Sequence, residues 1–272
     1  MPTMADPHAL LHAYDTQLRD VAEVSSALRS ERHGPVVWAT YVGGRGFVTY
    51  RSLDGWRGAR LDELVATTVQ HFATDPEVSS FEWKTRGHDG VPELHDILVA
   101  HGFTAGEPES VMIGRAEDLA VEVPVPDGVT IRRVSEPADV RRMVALQDDV
   151  FGHPSPGMVD ELLTRIASGA DDVELWIAEA EGQVVCAGRL DPVDGTDFAG
   201  IWGGATHPAW RRRGIYRALT AERARSALRR GKAFINSDST EYSRPILERS
   251  GFVKVSTTTP YEWRRDRDVV TT

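Results

Sequence analysis

The chain has 272 residues, 41% of them hydrophobic and 26% charged, with 31 Lys and Arg against 41 Asp and Glu and a formal net charge of -10. That acidic balance excludes a surface built to coat a nucleic-acid backbone, so any attraction to phosphate has to be local, and no apolar run approaches the roughly 18 residues needed to cross a bilayer. Cys186 is the only cysteine, which excludes an internal disulfide, and no basic segment followed by an apolar stretch opens the chain, so the expected location is cytoplasmic.

Taken in chain order, positions 6–24 carry Leu10, Leu11, Tyr14, Leu18 and Val21 at helical spacing and read as one amphipathic helix. Strands over 36–42 and 46–50 form a hairpin across Gly43-Gly44-Arg45, which is a turn and not a nucleotide loop because no helix follows it. A helix over 61–72, a strand over 80–85, a helix over 92–101 closed by Gly102-Phe103 and a strand near 111–114 come next. Two prolines and a glycine in 121–128 interrupt any regular element, so this segment is a linker and the chain divides into 1–124 and 128–272.

Beyond the linker, the pattern predicts a strand over 129–134, helices over 137–151 and 156–167, and a hairpin of 174–180 with 184–190 turning at Glu181-Gly182. Asp148-Asp149 and Asp171-Asp172 read as solvated helix or turn positions. Cys186 sits in the apolar run Val184-Val185-Cys186-Ala187 with no thiolate-stabilising cation beside it, so it is expected to be a buried structural thiol. Phe198, Ala199, Ile201, Trp202 and Ala205 form a short buried strand, and a basic turn, Arg211-Arg212-Arg213-Gly214, follows Pro208. Ile215, Ala218, Leu219, Ala224, Ala227 and Leu228 then mark a helix that Gly231 stops.

That order has a chemical consequence. A helix N-terminus carries unpaired N–H groups and a partial positive charge, so it holds a diphosphate without any specialised side chain. Gly214 lets a ligand approach the backbone, and the three arginines add to the attraction. A strand over 233–237, a helix over 244–250 ended by Gly251-Phe252, and closing strands over 253–255 and 258–263 complete the chain.

The run from Thr206 to Arg217 resembles the coenzyme A loop of the GNAT superfamily of N-acetyltransferases, whose pattern is Gln or Arg, two residues, Gly, one residue, then Gly or Ala. Arg211, Arg212, Arg213, Gly214 and Ile215 fit it. Tyr216 takes the last, normally small position, and Thr206 replaces the family's apolar residue two before the proline. The resemblance covers about residues 128–265. The first half repeats the same element order, and 94–103 parallels 245–252, but Gly55-Trp56-Arg57-Gly58-Ala59-Arg60-Leu61 lacks the spacing of a coenzyme cradle.

The implied fold is therefore α/β (α+β), with two GNAT-like units, each a mixed, mostly antiparallel sheet flanked by helices. Residues 1–124 would be a degenerate GNAT-like domain and 128–272 an acetyltransferase domain. The resemblance implies that Ala205, Thr206, His207, Arg211, Arg212, Arg213, Gly214, Ile215, Tyr216 and Arg217 hold acetyl-CoA. Asn236 and Ser239, with Ser237, would meet its pantetheine arm or position the acceptor.

For the chemistry, the resemblance implies that backbone N–H groups around 203–206 stabilise charge on the thioester oxygen. Many members protonate the departing thiolate with a tyrosine four residues before the Gly of Gly-Phe, where this chain has Leu247. That leaves Tyr242 and Ser243 as the catalytic candidates, each of which would alternatively just begin or cap the helix. Asp197 and Glu241 are the candidate bases, with surface turns as the bland reading of both.

The implied activity is acetyl-CoA-dependent transfer to an amine of a small molecule or a protein; the alternative is a non-catalytic acetyl-CoA sensor. Family members often pair, so a homodimer is carried over as an expectation. No nucleic-acid, membrane or metal partner is expected, since His8 and His12 lack further ligands at suitable spacing. Trp38, Trp56 and Trp83 would pack in the core or wall an acceptor pocket.

Overall fold

The computed structural model describes residues 6–169 and 173–265, so the Asp171-Asp172 pair lies outside the described residues. In chain order the elements are α1 (Pro7–Gln17), a 3-10 turn (Asp20–Val24), β1 (Arg29–His33), β2 (Val36–Tyr41), β3 (Arg45–Tyr50), α2 (Gly58–Thr74), β4 (Ser80–Arg86), α3 (Leu94–Ala100), β5 (Thr104–Ala105) and β6 (Glu109–Arg115). There follow α4 (Ala116–Leu119), β7 (Thr130–Val134), α5 (Pro137–Phe151), α6 (Met158–Ser168), β8 (Glu174–Ala180), β9 (Gln183–Pro192), β10 (Phe198–Thr206), a 3-10 turn (Pro208–Trp210), α7 (Ile215–Arg229), β11 (Phe234–Ser239), α8 (Arg244–Ser250) and β12 (Val253–Arg264).

The chain groups into two units. The amino-terminal unit comprises Leu11–Val111, Asp238–Glu241 and the residues from Val255 on; the carboxy-terminal unit comprises Met112–Ser237, Tyr242–Lys254 and the first described residues up to Leu10. Residues 112–124, which the sequence groups with the first half, thus stand with the second, and those from 255 on do the reverse.

In the amino-terminal unit the strand order is β1-β2-β3-β4-β12, with β5 on β12; β1 with β2, β2 with β3, β4 with β12 and β5 with β12 are antiparallel, and β3 and β4, which α2 bridges, are parallel. Trp38, Val48, Phe72, Phe81, Trp83, Leu98 and Phe103 fill its core, which places Trp38 and Trp83 in packing. Side chains alternate along a strand. Lys84 and Arg86 therefore project from the other face of β4, where Glu23 binds both and Asp238 pairs with Lys84.

Two expectations for this unit are corrected. The helix expected over 6–24 ends at Gln17, because Asp20 takes a φ of 72° that no right-handed helix accommodates, and a 3-10 turn resumes after it. The break carries Arg19 into a buried ion pair with Asp89. Arg29–His33, covered by no element expected from the sequence, is a strand: it is polar and mostly exposed along its length, so it has no alternating pattern, and its pairing with β2 alone defines it.

The carboxy-terminal unit repeats the plan. Its order is β11-β10-β9-β8-β7, antiparallel except for the parallel β10 and β11 that α7 bridges. On one face Trp176, Ala178 and Ala199 pack with Leu219, Ala224 and Ala227 of α7; on the other Leu175, Ile177 and Ala187 pack with Val140, Met143 and Val144 of α5 and Leu162 of α6. The two closing strands expected near the end are one continuous element, β12.

Candidate active site

The site begins where β10 and β11 part. Their parallel register covers Phe198 to Gly200 against Phe234 to Asn236 and no further. On the opposite edge β10 follows β9 to the pair Trp202 with Arg189 and resumes at Ala205 with Ala187, so one extra residue makes a bulge at Gly203 and Gly204. Gly203 adopts a φ of 62°, which glycine takes without a Cβ penalty. Gln147, buried on α5, donates from Nε2 to the Gly203 carbonyl at 2.6 Å.

From β10 the chain enters the basic turn. Arg211 Nε donates to the Thr206 carbonyl at 3.1 Å and ties the turn back to its strand. His207 caps the 3-10 turn by accepting the Ala209 amide at Nδ1, 3.3 Å away. The guanidinium of Arg213 lies 4.6 Å from the Trp210 ring centroid. Arg212 and Gly214 have φ of 62° and 80°, and Gly214 caps α7 with no side-chain cap bond.

These turns leave the main-chain amides of Arg212 through Arg217 without a protein acceptor among the described residues. The first four N–H groups of any helix are orphans, and here two loop amides extend the row. All of these residues but Arg213 line a cleft of about 570 Å³, together with Gly204, Thr206, Arg211, Tyr242, Ser243 and part of α8. Such a cleft suits an anion carried on an elongated ligand.

Several further candidates have definite positions. The Tyr216 ring packs over Gly204, where a Cβ would meet its Oη at 2.7 Å, and the buried Arg223 guanidinium lies 5.7 Å from the ring centroid. Tyr242, 94% exposed, stands on the rim; Ser243 is at the N-cap of α8 and makes no side-chain cap bond. Leu247 is buried in the apolar cluster, so no hydroxyl occupies the position where many GNAT members have tyrosine.

Ala205 is buried in the sheet, paired with Ala187. Asn236 is buried opposite Gly200, and its Oδ1 has no partner among the described residues. Ser239 groups with the amino-terminal unit, where its hydroxyl donates to the Thr240 carbonyl. Asp197 immediately precedes β10, at its paired end rather than at the cleft, and Glu241 accepts from Ser110. Cys186 is buried with Sγ 3.2 Å from Thr206 Oγ1, and burial pushes its thiol up to about 11, so it is no nucleophile at neutral pH.

Gln147 is the residue that the sequence reading passed over. Its signal was present: Val140, Met143, Val144 and Gln147 share one helical face, and a glutamine there is a polar group in a buried stripe. Such a group needs a partner.

In the amino-terminal unit the loop before α2 is closed by its own side chains. Leu53 is buried, its carbonyl accepts the Trp56 amide at 2.9 Å and an Arg57 guanidinium N–H, and Arg60 stacks 3.8 Å from the Trp56 ring centroid. Among the described residues no group of His, Cys, Asp and Glu could hold a metal ion, and no helix is long and apolar enough to cross a membrane.

Residues 149–265 match the family described as an acetyltransferase (GNAT) domain. A GCN5-related N-acetyltransferase from Kribbella flavida has a similar structure, with a TM-score of 0.68 at 18% identity over 96% of both chains. A second, from Sphaerobacter thermophilus, gives 0.63 at 16% identity over 88% of this chain and 80% of that one. A tandem GNAT protein from the clavulanic acid biosynthesis pathway gives 0.60 at 12% identity over 95% and 94%. No curated protein matches the sequence. At such identities the solved structures speak to the fold alone, and the domain match shows that residues 149–265, less than half of the chain, are similar to the GNAT acetyltransferase domain.

Proposed function

We propose that this protein is an acetyl-CoA-dependent N-acetyltransferase acting on an amine of a small molecule or a protein. One observation carries the reading: six consecutive main-chain amides, Arg212 to Arg217, have no protein acceptor among the described residues, and all of these residues but Arg213 line the cleft that Gly204 of the β10 bulge also lines. The residues fit the ligand. The amides and the Arg211, Arg212 and Arg217 side chains would hold the diphosphate, and Asn236, with its unpartnered Oδ1, would meet the pantetheine arm. Acetyl-CoA supplies the activated thioester.

In this reading the acceptor nitrogen, neutral when it attacks, forms the C–N bond as the C–S bond breaks, and its proton passes to a base or to water. Main-chain N–H groups at 203–206 face the charge that develops on the carbonyl oxygen. Tyr242 and Ser243 border the cleft and are the candidates to return a proton to sulfur, although a thiolate leaves readily without one.

Leu247 favours one second reading, a protein that binds acetyl-CoA without turnover. Titration calorimetry with CoA and acetyl-CoA, followed by a thiol-release assay over an amine panel, separates the two. Both ligands are expected to bind and thiol to be released with some amines; binding without release selects the sensor, and no binding overturns both readings. Gly214→Val, forced into a left-handed conformation, is expected to weaken CoA about tenfold, from a strain of roughly 1–2 kcal/mol.

A further inference from the structure

Gln147 reaches from α5 to the backbone of β10 and makes one polar contact there, the 2.6 Å bond from Nε2 to the Gly203 carbonyl. Its side chain lies so close that a Cβ at position 203 would sit 2.5 Å from Nε2. The bond falls on the bulge, where Gly203 and Gly204 have no cross-strand register partner on β9 and the β11 register has already stopped at Gly200. A glycine pair outside both ladders is otherwise free to rotate its peptide plane.

The described chain has no cis peptide, and in a trans peptide the carbonyl and the N–H of the next residue point in opposite directions. Holding the Gly203 carbonyl toward α5 therefore turns the Gly204 N–H away from α5. Gly204 lines the cleft, and the Tyr216 ring closes over it from the α7 side. The geometry points to Gln147 as a positioning residue that locks the Gly203–Gly204 peptide so that the Gly204 amide is presented to the thioester carbonyl. The assignment rests on the acetyl-transfer reading and adds to it a named residue and a named donor. Burial serves the same end, because a buried amide donor needs a partner and Gln147 finds its own in the Gly203 carbonyl.

The test uses the full-length protein and acetyl-CoA labelled with carbon-13 at the thioester carbonyl. In the wild type, infrared difference spectra are expected to show that carbonyl at lower frequency bound than free, and acetyl-CoA to bind more tightly than CoA. Gln147→Met keeps the side-chain volume and removes the donor. It is expected to leave the CoA affinity within about twofold, abolish both the frequency shift and the preference for acetyl-CoA, and lower kcat roughly 10- to 100-fold, since a misdirected amide forfeits most of what one oxyanion donor contributes. If Gln147→Met does not fold, Gln147→Glu decides. Its carboxyl donates only when protonated, so the frequency shift is expected to return as the pH is lowered. An unchanged carbonyl frequency in either variant at neutral pH, with CoA still bound, overturns this role alone; a wild type that binds neither ligand overturns the acetyl-transfer reading and this role together.

Discussion

Tyr216 stands where the coenzyme A loop normally has glycine or alanine, and Gly204 is what admits it. A Cβ at position 204 would lie 2.7 Å from both Cε2 and Oη of that ring. Gly204→Ala is therefore expected to destabilise the protein by about 1–3 kcal/mol, as overpacking does, and Tyr216→Ala in the same chain to recover most of the loss. Chemical denaturation of the four members of that cycle checks it, and strictly additive losses would refute the contact. The departure at Tyr216 was legible in the sequence as a mismatch, but its compensation was not, because Gly204 precedes it on another element and nothing local links the two. Gln147 is the same case. A polar residue in an apolar stripe is visible in a list of letters; its acceptor, 56 positions away, is not.

Between elements, the amino-terminal unit ties its 3-10 turn to β4 through charge. Arg86 is fully buried and donates to both Glu23 oxygens, while Lys84 pairs with Glu23 and Asp238. Burial alone would raise the Glu23 carboxyl, but Arg86 and Lys84 outweigh it and hold the group well below the usual carboxylate range. A carboxyl depressed in the folded state stabilises above its unfolded pKa, ordinarily near 4.5, and that contribution is lost progressively as pH falls from there through the depressed value. The melting temperature is expected to drop below about pH 4.5, and Glu23→Gln to flatten that dependence. At neutral pH the substitution leaves the buried Arg86 without its carboxylate, while Lys84 keeps Asp238, and is expected to cost about 3–5 kcal/mol. Calorimetry across pH 3–8 tests both statements, and a Glu23→Gln profile parallel to the wild type would contradict them. None of this cluster was legible beforehand. The strand expected over 80–85 carries no sign of what Lys84 meets and stops short of Arg86, and only the break of the first helix at Asp20 brings Glu23 to them. Helices such as α2, α5 and α7, by contrast, were legible from their apolar spacing, since a 3.6-residue period is a local property.

At the scale of the whole molecule, the chain's last strand serves its first half. Thr258 to Arg264 pair with Arg86 to Ser80, and Tyr261 lies in the amino-terminal core. Deleting the residues after Lys254 leaves β4 an open edge and removes an aromatic from that core, so rapid hydrogen exchange of amides 80–86 and loss of a cooperative transition in the amino-terminal unit are expected. Retained protection of those amides would show that the unit folds without β12. A fragment ending at residue 124 is expected to fail for the same reason. By itself the sequence determined the order of the elements, the placement of the basic turn before α7 and the doubling of the plan, because turn chemistry and the two- and 3.6-residue periods act between near neighbours. Only the tertiary structure decided the bulge at Gly203 and Gly204, the partner of Gln147, the burial of the charged cluster and the ownership of β12. Those depend on pairing between segments far apart along the chain, and the energy of such pairing leaves no mark on either segment alone.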